Sequence, residues 1–234
     1  MGAAPVFEQL FDTVSSTLTY IVADGATREA VIIDPVDSLV ERDLEVLERL
    51  GLKLRFTVET HAHADHITSA GTLRLRTGAQ AAAPFNCGIE PADLHLEEGA
   101  RIAFGAENLQ VIETPGHTAG SICLLWRDAV FTGDTLFIGG CGRADFQGGS
   151  AADLYDSITQ RLFTLPAATR VYPGHDYKGN RVSTIGAEMR TNPRLAGKSR
   201  EEFVALMNAL DLPAPKLIDV AVPANRKLGL VHGG

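Results

Sequence analysis

Residues 60–66 read Thr60-His61-Ala62-His63-Ala64-Asp65-His66, three imidazoles and a carboxylate on one short stretch that ends an apolar run. Three later motifs are built the same way: His117 in Thr114-Pro115-Gly116-His117, Asp134 in Phe131-Thr132-Gly133-Asp134, and His175 in Tyr172-Pro173-Gly174-His175. Each follows an apolar run and directly succeeds a Gly, so each reads as a ligand at a strand end. Neutral imidazole is the commonest metal ligand, and a carboxylate adds a hard anionic oxygen. A solvated polar turn would account for any one of these motifs alone. Taken together they call for a fold that gathers several strand ends along one edge. His95 and His232 have no such context and read as surface residues.

The run of elements fits that demand. Strand-like segments at 6–11, 18–23 and 30–34 come first, followed by an amphipathic helix at 38–50 with Ser38 as its expected N-cap and Gly51 as its stop. A strand at 54–59 delivers the histidine cluster, and 65–76 reads as helical. Further strands are expected at 79–83, 101–104, 109–113, 121–126 and 129–132, a helix at 151–162, and a strand at 170–172 before His175. Helices at 180–189 and 199–210 and a Pro-spaced tail follow. A meander, strand–helix alternation and then a second such half imply an α/β fold, two sheets face to face with helices outside. The expected organisation is one catalytic domain over 1–190 with a short C-terminal helical extension over 191–234.

Composition narrows the partners. The net charge of −8, with no basic run, argues against nucleic-acid binding. No apolar stretch reaches the length of a membrane span, and the first residues lack the features of a secretory or transit signal. Three cysteines without a Cys-x-x-Cys pair suit free thiols in a reducing compartment. The expectation is a cytoplasmic protein, or the mature form of a processed organellar one. The face carrying Phe203, Val204, Met207 and Leu210 is expected to pack on the domain or on a second copy in a homodimer.

The order His-x-His-x-Asp-His, then His, Asp and His resembles the metallo-β-lactamase superfamily and implies its αββα sandwich. In the hydrolases of that superfamily, His61, His63 and His117 would hold one metal and Asp65, His66 and His175 a second, with Asp134 bridging. Gly139-Gly140-Cys141-Gly142-Arg143 resembles the glutathione-handling branch shared by glyoxalase II and the persulfide dioxygenases. Ala144-Asp145-Phe146-Gln147, Asn192-Pro193-Arg194-Leu195 and Leu217 through Asn225 are similar to the dioxygenases in particular, and the tail is shorter than the substrate domain of glyoxalase II.

That resemblance implies one Fe(2+) per chain, held by His61, His117 and Asp134, with His63, Asp65, His66 and His175 orienting ligands and waters around it. The implied reaction converts glutathione persulfide, O2 and water to glutathione and sulfite. Arg143 and Tyr177 match positions that contact glutathione in the branch, and a guanidinium suits its carboxylates. Arg226 and Lys227 are further candidate cations. Cys141 either lies beside the site or fills a Gly-rich turn, and Cys123 reads as core. The alternative is a dinuclear-zinc hydroxyacylglutathione hydrolase of the glyoxalase II kind.

Overall fold

In the computed structural model, which describes residues 3–230, the chain forms two compact units. The first takes in the chain up to Leu96, Arg101–Leu109 and the stretch from Ala214 onward. Its sheet runs in the order β1-β2-β3-β4-β5-β6. Strands β1 (Val6–Phe11), β2 (Leu18–Ala23) and β3 (Glu29–Ile33) form an antiparallel meander, the last two joined by a turn at 24–27. Strands β4 (Lys53–Val58), β5 (Gln80–Pro84) and β6 (Leu94–Leu96) then pair parallel to β3 and to one another. Parallel pairing needs crossovers, supplied by α1 (Val40–Arg49) between β3 and β4, α2 (Ala70–Thr77) between β4 and β5, and a short turn at Phe85–Cys87 before β6. β2 is buried along its whole length and β3 from Ala30 onward, as strands covered on both faces should be. Ile21, Ile32, Leu47, Leu54 and Leu73 join sheet and helices in one core.

The second unit comprises Glu97–Ala100 and Gln110–Pro213. The second sheet has the order β12-β11-β10-β9-β8-β7, where β7 is Arg101–Phe104, β8 Glu107–Glu113, β9 Ile122–Trp126, β10 Ala129–Gly133, β11 Arg170–Pro173 and β12 Ser183–Thr184. Helix α3 (Ala151–Ser157), prolonged by a wider turn at Ile158–Leu162, leads into β11, which pairs parallel to β10. Helices α4 (Ile185–Thr191) and α5 (Arg200–Asn208) follow. Phe203 and Met207 of α5 enter the core beside Leu154 and Ile158, so the apolar face read from the sequence packs on its own unit. Ser199 caps α5 reciprocally with Glu202, satisfying two orphan amides at once. All three cysteines are free and buried. Among the described residues no helix is long and apolar enough to cross a membrane.

Several local expectations need correction. The helix expected from residue 65 begins only at Ala70. Residues before it are held otherwise: the Thr68 amide donates to Asn225 Oδ1 at 2.8 Å, and Thr68 Oγ1 accepts the Ala70 amide at 3.0 Å. Ser38 is not a cap, because α1 is entered through a tight turn at Asp37–Leu39 with no side-chain capping bond. The helix expected at 180–189 starts instead at Ile185, capped by Thr184, since Asp176 binds the Asn180 amide and Ser183–Thr184 pairs with β11. The Pro-spaced tail contains a helix, α6 (Ile218–Asn225), with Pro223 inside it. His95 is exposed, and His232 lies outside the described residues.

One buried charge makes a prediction. Asp43, in α1, receives Arg42 Nε and Nη2 on Oδ1 at 2.9 and 2.7 Å, but Oδ2 is buried without a hydrogen-bond partner among the described residues. Burial raises its carboxyl to about 6 despite the pull of Arg42. The folded state therefore holds more protons than the unfolded state between the ordinary value of 3.8 and about 6, so this group costs stability as pH rises through that window. Asp43→Asn should gain on the wild type by about 1–3 kcal/mol between pH 4 and pH 8, read from urea midpoints. Parallel curves for the two proteins would contradict this.

Candidate metal centre

β4 ends at Val58 and hands the chain to a loop whose side chains are bonded to one another. Asp34, just past β3, has a left-handed backbone (φ 49°), strain that an Asp at a functional site can be held in by its surroundings. Its Oδ1 accepts the Thr60 amide at 2.7 Å and its Oδ2 accepts Thr60 Oγ1–H at 2.8 Å. Thr60 Oγ1 in turn lies 3.0 Å from His61 Nδ1. His63 Nε2 is 3.1 Å from Asp34 Oδ1 and 3.2 Å from Glu59 Oε2, all three residues buried. Burial by itself pushes the His63 pKa down, but the two carboxylates outweigh it and hold it well above the ordinary value. Asp65 Oδ2 lies 2.9 Å from His66 Nδ1, and Thr17 Oγ1 reaches both at 3.2 Å. The rings of His61 and His66 flank that of His63, with centroids 4.1 and 4.3 Å away.

The second unit assembles its own group. Because β10 and β11 are parallel, with Gly133 opposite Pro173, they deliver Asp134 and His175 side by side, and His175 Nδ1–H donates to Asp134 Oδ1 at 2.7 Å. His117 Nε2 is 3.6 Å from Asp134 Oδ2, while its Nδ1–H donates to the Arg143 carbonyl at 2.7 Å. The Gly-rich motif makes that approach possible. A Cβ on Gly142 would sit 2.2 Å from the Asp134 carbonyl oxygen and 2.9 Å from His117 Nδ1, so no larger residue fits. Gly116, at φ 140°, would bring a Cβ within 2.3 Å of the Leu154 backbone.

Arg143 grips Asp145 with Nε and Nη2, both at 2.7 Å, gives Nη1 to the Pro213 carbonyl at 2.7 Å, and lies over the Phe146 ring. It lines a cavity of about 290 Å³ with Asp145, Ala151, Met207 and Leu212 among its walls. Tyr177 is 71% exposed, and its ring is stacked parallel to that of His175 at 6.0 Å. Cys141 points into the core, its Sγ 3.8 Å from Met207 Sδ, and burial raises its pKa. It fills the turn. Cys123 is core, as expected. Arg226 lies in the first unit, near Gly88.

A family model described as the metallo-beta-lactamase superfamily matches residues 12–84 and 87–175. Persulfide dioxygenase ETHE1, mitochondrial, of Homo sapiens is 47% identical over 98% of this chain and 91% of its own length. The chain belongs to the persulfide dioxygenase family of the metallo-β-lactamase superfamily. A crystal structure of ETHE1 from Myxococcus xanthus is 54% identical, covers 96% of this chain and 99% of its own, and superposes with a TM-score of 0.94. A more distant structure, TTHA1623 in a di-iron-bound form, is 31% identical over 80% of this chain and 100% of its own, with a TM-score of 0.67.

The αββα class expected from the sequence is thus the fold of this dioxygenase-family chain. Its donors suit a metal ion. His63 Nδ1 and His66 Nε2 are buried with no hydrogen-bond partner among the described residues, a costly state for ring nitrogens unless an ion or water meets them. Sequence reasoning missed the residues that hold these donors: Thr17, Asp34, Glu59, Thr60 and Asn225. Thr60 is the first residue of the motif itself. Glu59 precedes it and meets His63 four residues on, whereas Thr17, Asp34 and Asn225 reach it through long-range contacts that leave no local pattern.

Proposed function

We propose that the chain is an Fe(2+)-dependent persulfide dioxygenase that oxidises glutathione persulfide with O2 and water to glutathione and sulfite. The observation that carries this reading is likeness to persulfide dioxygenase ETHE1 over nearly the whole length of both chains. In this reading one ion per chain is held by His61, His117 and Asp134, each of which can offer one ligand atom. Two imidazoles and a carboxylate leave open positions, the donor set of non-haem Fe(II) oxygenases. Iron, when bound, supplies the redox route by which O2 reacts with a closed-shell sulfur compound.

The chain's own residues set the stage. Thr60 holds His61 Nδ1 and the Arg143 carbonyl holds His117 Nδ1, so each ring is oriented and presents Nε2 as its ligating nitrogen. His175 fixes the Asp134 carboxylate through Oδ1. His63, Asp65 and His66 order waters beside the ion. Arg143 receives a glutathione carboxylate by exchanging it for Asp145 in the cavity it lines, and Tyr177, stacked on His175, is a second contact for the substrate. A carboxylate for a carboxylate keeps the guanidinium paired throughout. Residues 1–190 form the catalytic body in this reading, with 191–234 as an extension serving it. The setting is the cytoplasm or an organellar matrix, in keeping with the mitochondrial designation of the human relative.

The alternative, a dinuclear-zinc hydroxyacylglutathione hydrolase, is favoured by one observation. Asp65 and His66, donors for a second ion, are both present and in contact. Metal analysis of anaerobically purified protein separates the two. The dioxygenase reading expects one iron per chain, whereas two zinc ions per chain would favour the hydrolase.

A further inference from the structure

We infer that Asn225, at the end of the last helix, is a positioning residue that fixes the backbone of the metal-binding loop. This rests on the proposed reading of that loop as the source of a metal ligand. Asn225 is 1% exposed, and its side chain makes three hydrogen bonds, all to one short stretch of chain more than 150 residues earlier. Nδ2 donates to the His63 carbonyl at 2.9 Å and to the His66 carbonyl at 2.8 Å, and Oδ1 accepts the Thr68 amide at 2.8 Å.

The chemistry selects an amide. The loop between β4 and α2 is irregular, and although the Glu59 and Ser69 amides and the Ile67 carbonyl bond to neighbouring backbone, the His63 and His66 carbonyls and the Thr68 amide, in three buried residues, are met by Asn225. Two acceptors and one donor converge on a single point. A carboxamide satisfies all three, whereas a carboxylate of the same shape would face two carbonyl oxygens with no proton to offer. An apolar residue would leave three buried groups unpaired.

The fastening is built at both ends of the loop. Asp34 holds the Thr60 end through two hydrogen bonds, and Asn225 holds the His66 end. Between them Thr68 Oγ1 donates to Glu59 Oε1 at 2.6 Å, and Glu59 Oε2 faces His63. The helix carrying Asn225 is itself anchored. Ala221, Val222 and Ala224 are buried, and the Leu228 carbonyl just beyond accepts the Gly71 amide at 2.8 Å. Gly229, at φ 76°, passes so close that a Cβ would lie 1.9 Å from the Thr68 carbonyl oxygen. Asn225 touches no substrate and offers no ligand; it acts on the imidazoles through their backbone.

The test uses full-length apo-protein titrated with Co(II), whose visible spectrum reports ligand geometry, in the wild type, Asn225→Asp, Asn225→Ser and the control Val222→Ala. Partners that orient metal ligands typically change affinity 10–100-fold when lost. Both Asn225 variants are expected to bind Co(II) 10–100-fold more weakly, with a shifted spectrum. Val222→Ala, a packing change in the same helix, should lower Tm yet keep wild-type affinity and spectrum. Wild-type affinity in a folded Asn225 variant would overturn the inference, as would equal losses in Val222→Ala. If neither Asn225 variant folds, the wild type decides: the Thr68 amide must exchange as slowly as those of β4, and exchange at the solvent rate would overturn the role. Failure of the wild type to bind Co(II) or Fe(II) would instead contradict the metal centre itself.

Discussion

Asp134→Ala should yield a folded protein that retains no stoichiometric iron and consumes no O2 with glutathione persulfide. His61→Ala and His117→Ala should do the same. A three-residue donor set has no spare member, so the loss should far exceed the roughly 10–100-fold cost of removing a residue that merely orients a ligand. Asp134 is the most telling of the three. Its Oδ1 is already committed to His175 and its Oδ2 faces His117, so removing it undoes two imidazole contacts together with a negative charge. Iron content by elemental analysis after anaerobic purification checks this before any assay. Stoichiometric iron in the Asp134 variant would remove the carboxylate from the proposed site.

Exchanging the metal should be as decisive as exchanging a ligand. The donors expected for the superfamily's zinc hydrolases are present, with His63, Asp65 and His66 close enough together to share an ion, so zinc should enter the protein readily. Zinc has no accessible change of oxidation state, and the zinc-loaded protein is expected to bind glutathione persulfide while consuming no O2. Oxygen-electrode traces on iron-loaded and zinc-loaded samples of one apo-protein preparation make the comparison. Equal oxygen uptake by both would mean that the ion's redox chemistry is not needed.

The sequence made the ligand-bearing loops legible because their signal is local. Apolar runs leading into Gly-His or Gly-Asp mark strand ends: β8 ends at Glu113 just before Thr114–His117, β10 at Gly133, β11 at Pro173, and β4 ends two residues before the Thr60–His66 cluster. Misreadings arose where a distant side chain overrides local preference. Residues 65–69 have helical periodicity, but Asn225 claims the Thr68 amide and the helix starts late. Asn180 sits in a helix-like stretch, yet Asp176 captures its amide. β6 has only three residues and β12 two, too few to show alternation. Arg143 illustrates a different limit. Its motif announced a cation beside the site, but its position in the chain carried no sign that Asp145, two residues on, already holds the guanidinium. Burial pairs such as Asp34 with His63 were equally invisible, since nothing in either residue's neighbourhood encodes the other.

Oxygenation of a persulfide and hydrolysis of a thioester are separated directly by one paired assay. Iron-loaded protein is supplied in parallel with glutathione persulfide and with S-lactoylglutathione, while O2 uptake, sulfite release and thioester cleavage are followed under identical conditions. The expected result is persulfide-dependent O2 uptake matched by sulfite, with little thioester cleavage. Rapid thioester cleavage without O2 uptake would make the chain a glyoxalase II-like hydrolase and contradict the dioxygenase reading.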